Sequence, residues 1–241
     1  MMTIPTEPRP ARIEVRGATK CYHRQAVLKN LSLIVEDGEF CVLVGANGAG
    51  KTTLLRIIAS LTRTDAGEVI LGNSGSAIDP QTRRAVGYLG HQPMFYLDLS
   101  AIENLRHYAR LYQLQDIHAA AALGIRSAGL EQHQDRPVRE LSRGMQQRLS
   151  IARTLLHEPA VLLLDEPYTG LDQDAAKFLD DALRNLHQPG RAILLAAHRP
   201  RRLLRMATHI AWLKDGMIVQ HVPADRLSES PALEDYLQEV A

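Results

Sequence analysis

The chain has 241 residues, with 28 Lys and Arg against 27 Asp and Glu, a formal net charge of +1. That balance argues against nucleic acid as a partner, and a 45% share of apolar residues beside 23% charged ones excludes a disordered or fibrous chain. The length suits one large domain, or a domain carrying an inserted lobe.

The opening stretch "MMTIPTEPRPAR" carries prolines where an export signal would carry an apolar core, so residues 1–11 are expected to be a flexible tail without an export role. "RIEVRGA" then alternates as a half-exposed strand does, and "LSLIVEDGEFCVLVG" reads as two strands about the Asp37-Gly38 turn. Phe40 to Val44 is continuously apolar, as a strand buried on both faces should be. Cys41 lies inside that run, where a reduced, buried thiol is expected rather than half of a disulfide.

The strand leads straight into "GANGAGKT", Gly45, Ala46, Asn47, Gly48, Ala49, Gly50, Lys51 and Thr52, which matches G-x-x-x-x-G-K-[ST] at every fixed position. Glycines there let backbone N–H groups curl around phosphate oxygens, the Lys51 ammonium offers a point charge, and the Thr52 hydroxyl can join a Mg²⁺ shell. Thr53 continues the same loop-to-helix junction, and Lys51 to Leu61 has helical spacing. An ordinary glycine turn explains one glycine but not the Lys-Thr pair.

From Pro93 to about His157 the pattern is helical, which predicts an inserted helical lobe. Within it, "LSRGMQQR" places Ser142 and Gly144 at the start of an amphipathic helix, in the manner of a second anion site. Strand signals return at Ala160 to Asp165, Ala192 to Ala197 and His209 to Leu213, with helical stretches at Asp174 to His187 and Pro200 to Ala207. The first of these strands ends in Asp165 and Glu166, where one carboxylate can hold Mg²⁺ and its neighbour can orient an attacking water. "HRPRRLLR" is locally basic and reads as a solvated helix face or one near anionic lipid. From Pro223 onward one short polar helix is expected, and no apolar run approaches the roughly 20 residues of a membrane span.

The order of phosphate loop, "LSRGMQQR", "LLLDEP", "GLD" at Gly170 to Asp172 and His198 resembles the ATP-binding subunits of ABC transporters, over about Ile13 to Val222. The resemblance implies an α/β fold of the P-loop NTPase class, with an ABC-type ATPase core at 12–222. It also implies an inserted helical subdomain, about 93–157, an N-terminal antiparallel β subdomain and a helical tail at 223–241. By matching position it implies Tyr22 as an aromatic stacked on adenine, Gln92 at the Mg²⁺ site, and His198 on the γ-phosphate beside the catalytic Glu166. It implies a head-to-tail dimer with a second copy of the chain, in which Ser142 and Gly144 of one copy cap ATP held by the other and Asp172 lines the contact. Mg²⁺ would then be held by Thr52, Gln92 and Asp165. A separate transmembrane permease and a peripheral place on the cytoplasmic face of the membrane complete what it implies.

Within that family, "YLGHQPMFYLDLSAIENLRHYARLY" and "DEPYTGLD" look most like the ATPase subunit of the haem exporter of cytochrome c maturation, and also resemble ATPases of multidrug and other exporters. A soluble ABC-type ATPase acting as a nucleotide-switched clamp stands as the other class, although such proteins usually carry coiled-coil arms or a second cassette. The sequence departs from the family's serine-glycine-glycine-glutamine at Arg143 and Met145. The histidines other than His198 lack ligand spacing, so the sequence supports no metal site beyond Mg²⁺.

Overall fold

The structure is a computed structural model that describes residues 11–72, 77, 79–90, 94–171, 173–198 and 200–239. Gln92 and Asp172 lie outside the described residues. Two sheets form the frame. Strands β1 (Ala11–Tyr22), β2 (Gln25–Glu36) and β4 (Ala66–Leu71) make an antiparallel sheet in the order β2-β1-β4. Strands β3 (Phe40–Val44), β5 (Val86–Leu89), β6 (Val161–Asp165), β7 (Ala192–Ala197), β8 (His209–Lys214) and β9 (Met217–Pro223) make the larger sheet, in the order β5-β6-β7-β3-β8-β9. All its neighbours are parallel except β8 and β9. This is the α/β arrangement expected from the sequence, antiparallel subdomain included.

Every residue of β3, β6 and β7 is buried, which is why those segments read as unbroken apolar runs. Alternate side chains serve different cores: Cys41 and Leu43 pack on one side with the antiparallel sheet and helix α1 (Lys51–Ile58), while Phe40, Val42 and Val44 pack on the other. That second core is covered by α6 (Gln173–Leu186) and α7 (Pro231–Glu239), through Leu179, Leu183, Leu233 and Leu237.

A third core belongs to the helical lobe, where Leu105 of α3 (Ala101–Leu111), Ile125 of α4 (Ile117–Ser127) and Leu149 of α5 (Arg143–Leu155) meet. The lobe's first helix is fixed at its start by a reciprocal cap: the Ser100 hydroxyl accepts from the Glu103 N–H, and the Glu103 carboxylate accepts from the Ser100 N–H at 2.8 Å. Buried Asn104 completes the turn, its amide donating to the carbonyls of Tyr96, Leu99 and Ser100 while its carbonyl accepts from the Tyr96 N–H.

The structure departs from the sequence expectations in four places. Strands β4, β5 and β9, none of them marked by a distinctive run, complete the two sheets, and a four-residue helix α2 (Pro80–Arg83) precedes β5. β1 and β2 each run to 12 residues, longer than their alternating cores suggested. Pro200 to Ala207 forms successive turns, not a helix; its Leu203 is buried, and its Arg202 guanidinium donates to Asp180 of α6 at 2.9 Å. The basic run is therefore in part tied to an acid rather than free for lipid. Finally, the stretch from Pro223 is not one polar helix: Pro223 ends β9, a 3-10 segment at Ala224–Glu229 precedes α7, and α7 buries Leu233 and Leu237 and stacks Tyr236 on Trp212 with ring centroids 5.1 Å apart.

The lobe meets the sheet at His157, whose Nε2 lies 3.2 Å from the Val86 carbonyl and whose ring stacks on Tyr112 at 3.8 Å. Burial holds its pKa down at about 4, the Val86 contact opposing the shift and the nearby Arg153 charge reinforcing it. The folded chain thus binds fewer protons here than the unfolded chain between pH 6.5 and 4, so this contribution to stability is lost as pH falls through that window. Urea midpoints measured from pH 7.5 to 4 should fall more steeply for the wild type than for His157→Gln.

Candidate nucleotide site

Parallel pairing puts Val44 beside Ala197 and Asp165 beside Ala196, so β3, β7 and β6 end along one sheet edge. The segments leaving them carry the phosphate loop, His198 and Glu166. Ligand sites of open α/β sheets form at such carboxyl edges.

The loop's shape follows from its glycines. Gly48 and Gly50 have φ of 80° and 110°, a region that L side chains rarely adopt. A Cβ on Gly50 would meet Leu28 Cδ2 at 2.7 Å and one on Gly45 would meet the Leu213 carbonyl at 2.4 Å, whereas one on Gly48 would face open space. The loop is thus pressed against β2 and β8 at its two ends, while Ala46, Asn47 and Gly48 are exposed. Ala49 donates from its N–H to the Ala46 carbonyl, and Thr53 sits half-buried in the first turn of α1.

Lys51 is buried, its Nζ donating to the carbonyls of Gly45 at 2.7 Å and Ala46 at 3.2 Å, with the Glu166 carboxylate at 3.9 Å. An ammonium has three N–H groups, which leaves one for a phosphate oxygen. Desolvation lowers the lysine pKa, against the opposing pull of Glu166 and Asp165.

The Thr52 hydroxyl donates to Asp165 Oδ1 at 3.0 Å. A hydroxyl and a buried carboxylate side by side are the hard oxygen donors that suit Mg²⁺. The Tyr88 hydroxyl belongs to the same cluster: burial and then the Asp165 charge push its pKa up to about 12. Nothing in the local sequence marks Tyr88, since its role depends on β5 lying next to β6.

Glu166 follows with φ of 50°, uncommon for a residue with a side chain, and its N–H donates to the Ala196 carbonyl at 3.0 Å. The Thr169 hydroxyl lies 3.5 Å from its carboxylate. Glu166 and His198 line one cavity of about 460 Å³ together with Asn47, Thr169 and Gly170. The two residues expected to act on the γ-phosphate therefore face a common space beside the phosphate loop.

Ser142 is the N-cap of α5: its hydroxyl accepts from the Met145 N–H at 3.3 Å, leaving Arg143 and Gly144 as the first two helical residues. Ser142 and Arg143 are exposed. The helix start is pinned from behind by Gln146, whose amide donates to the carbonyls of Val138 and Leu141, and Gln147 reaches the Pro167 carbonyl at 3.3 Å. Gln147 thus joins the helix to the turn that carries Glu166. Its place just after "SRGMQ" was the available sequence signal.

Tyr22 is 42% exposed at the β1–β2 hairpin, with the Lys20 ammonium 5.5 Å from its ring centroid. It is not a core tyrosine. The larger cavity beside the loop, about 650 Å³, is lined by Gln25, Asn47, Gly48, Trp212 and Tyr236 but not by Tyr22.

The ABC transporter family profile matches residues 28–169, which include the phosphate loop, the Ser142 helix and the Asp165-Glu166 pair. The chain belongs to the ABC transporter family. It is 36% identical over 209 residues to a Nod factor export ATP-binding protein I of Cupriavidus metallidurans, covering 86% of this chain and 69% of that protein. A protein of the same name from Ralstonia nicotianae is 38% identical over 213 residues, covering 85% and 64%. A spermidine/putrescine import ATP-binding protein of Nitratidesulfovibrio vulgaris is 33% identical over 223 residues, covering 91% and 61%. The chain thus spans between three-fifths and seven-tenths of these relatives' lengths.

Among solved structures, an ATP-binding subunit of an ABC transporter superposes with a TM-score of 0.85 at 27% identity, covering 95% of this chain and 98% of that one. A dimeric ATP-binding cassette in a post-hydrolysis state, bound to ADP and Pi, gives 0.79 at 27% identity, covering 88% and 98%. The chain is an ABC ATPase domain with the P-loop ABC fold. None of the three relatives is named for haem, so they support the ABC transporter ATP-binding subunit and not the narrower haem-exporter expectation.

A methyl group at Gly50 would both strain the backbone and strike Leu28. Gly50→Ala should lower stability by about 1–3 kcal/mol and abolish ATP binding. Thermal melts with and without nucleotide check both effects.

Proposed function

We propose that this chain hydrolyses ATP as the motor subunit of an exporter, working as a head-to-tail pair of copies against a separate membrane permease. The observation that carries the reading is that one chain holds two phosphate-binding devices: the Lys51 loop with its Thr52-Asp165 partner, and the start of α5 at exposed Ser142 and half-buried Gly144. The first can enclose a triphosphate without help. The second then needs a nucleotide from another copy, and the neighbour solved as a dimer with ADP and Pi supports that arrangement.

In this reading the loop N–H groups and Lys51 hold the β- and γ-phosphates. Thr52 and Asp165, with Gln92, would hold Mg²⁺, which would supply positive charge against the triphosphate. Glu166 accepts a proton from water as the water oxygen bonds to γ-phosphorus and the bond to the ADP oxygen breaks. His198, facing the same cavity, steadies the γ-phosphate, and Asp172 lines the contact between copies. Tyr22 is the adenine platform: its exposure on the hairpin leaves a ring face accessible. Arg143 adds positive charge toward the partner's triphosphate, while Met145 cannot make the reciprocal cap that a glutamine would.

Among described residues no helix is long and apolar enough to cross a membrane, which fits a subunit lying peripherally on the cytoplasmic face and acting through a permease. Export is favoured by the two relatives named for it and by the stretches after β5 that resemble exporter ATPases. Haem as cargo rests on those stretches alone. Co-purification from membranes decides: a permease accompanied by a haem-handling chain supports haem, a permease without one supports another exported solute, and a soluble partner overturns the transport reading.

Glu166→Gln should slow turnover by about 100-fold or more and trap an ATP-bound dimer detectable by size-exclusion light scattering; unchanged turnover would remove Glu166 from the chemistry. Ser142→Arg should abolish the rise of ATPase rate per chain with protein concentration while leaving ATP binding to the monomer intact. Retention of that rise would refute the paired site.

A further inference from the structure

The other end of β3 carries a second constellation. Glu39, Cys41 and His221 each present a ligand atom, all within 4.8 Å of one another. Glu39 Oε1 is 3.1 Å from His221 Nε2, Cys41 Sγ is 3.8 Å from the same nitrogen, and His209 Nδ1 is 3.6 Å from Glu39 Oε1. The sheet makes this cluster. Cys41 of β3 pairs with His209 of β8, Ala211 of β8 pairs with His221 of β9, and Glu39 lies two residues before Cys41 on the same side. No spacing in the sequence shows it, because the ligands come from three strands that are adjacent only in space.

We propose that Glu39, Cys41 and His221, with His209 as fourth donor, form a zinc site. A tetrahedral zinc with bonds of 2.0–2.1 Å to N and O and 2.3 Å to S has ligand-to-ligand edges of about 3.3–3.5 Å. Three of the six edges, Glu39–His221 at 3.1 Å, Glu39–His209 at 3.6 Å and Cys41–His221 at 3.8 Å, lie near that range. Glu39, Cys41 and His221 already converge, whereas the His209 ring, 3.2 Å from the Thr208 hydroxyl through Nδ1, must turn inward to complete the shell. Charge also closes: one thiolate, one carboxylate and two neutral imidazoles balance Zn²⁺, so a buried site carries no net charge. Zn²⁺ displaces the thiol proton, which leaves to solvent along the partly exposed His209 and His221 rings. Without metal, burial and the Glu39 charge hold the Cys41 thiol protonated.

The site is separate from the nucleotide. Four residues of extended chain place Cys41 about 13 Å from Gly45, and its ligands include a soft sulfur rather than the oxygens that suit Mg²⁺. Bound there, zinc would cross-link β3, β8 and β9 beneath the phosphate loop. A pair of histidines merely neutralising buried Glu39 would account for His209 and His221, but would place no demand on Cys41.

The test is titration of the untagged, chelator-stripped full chain with Co²⁺ and then Zn²⁺. One Co²⁺ per chain with a near-ultraviolet thiolate-to-cobalt band, bleached by Zn²⁺, is expected. His221→Ala and His221→Gln, on the exposed rim, should weaken Zn²⁺ binding by more than about 100-fold, the most that loss of an outer-shell partner costs. They should leave circular dichroism and ATP binding unchanged. Cys41→Ser should abolish the band, and if that buried change prevents folding the two His221 variants decide. No sulfur band in the wild type, or a band and affinity unaltered in both His221 variants, overturns the proposal.

Discussion

The covalent continuity of a buried strand with a positively curved glycine loop is the constraint on which the rest depends. β3 is enclosed by β7 and β8 and buried along its whole length, so its end cannot drift. Gly45 lies so close to the Leu213 carbonyl, and Gly50 to Leu28, that the loop has one course available. Lys51 then turns back onto the Gly45 and Ala46 carbonyls, tightening the same loop from inside. A rigid cradle requires little reorganisation when an anion arrives, which is where electrostatic stabilisation gains its strength.

The carboxylates depend on that frame. Asp165 and Glu166 are neighbours in sequence with different environments: Asp165 is buried and bonded to Thr52, while Glu166 takes a left-handed backbone conformation that swings it into the cavity with His198. In the proposed mechanism the first acid holds the metal and the second accepts the proton. The division comes from the turn, not from any difference in side-chain chemistry.

The helical lobe has a core of its own and joins the sheet both through apolar packing, with Ile151 of α5 buried in the same core as Leu162 and Leu164, and through polar contacts: Gln147 to Pro167, His157 to Val86, and Arg153, whose guanidinium donates to the Tyr88 carbonyl at 3.2 Å and lies 5.1 Å from the Tyr108 ring centroid. The apolar seam seats α5 on the sheet, and the polar contacts tie its start to the turn that bears Glu166.

Apolar runs and glycine spacing determined the central strands and the phosphate loop, because burial on both faces and left-handed backbone each demand particular residue types. The N-cap at Ser142 was equally local. Strands β4, β5 and β9 were not legible, since each is half-exposed or short and exists only because a neighbouring edge accepts it. Turns at Pro200 to Ala207 replaced an expected helix, with Arg202 reaching Asp180 of a different element. Only the tertiary structure decided that Tyr88 approaches Asp165, that Tyr22 stands exposed, and that two histidines without sequence spacing converge on Cys41 and Glu39. Strand order sets those meetings, and strand order is a property of long-range pairing that no window of sequence contains.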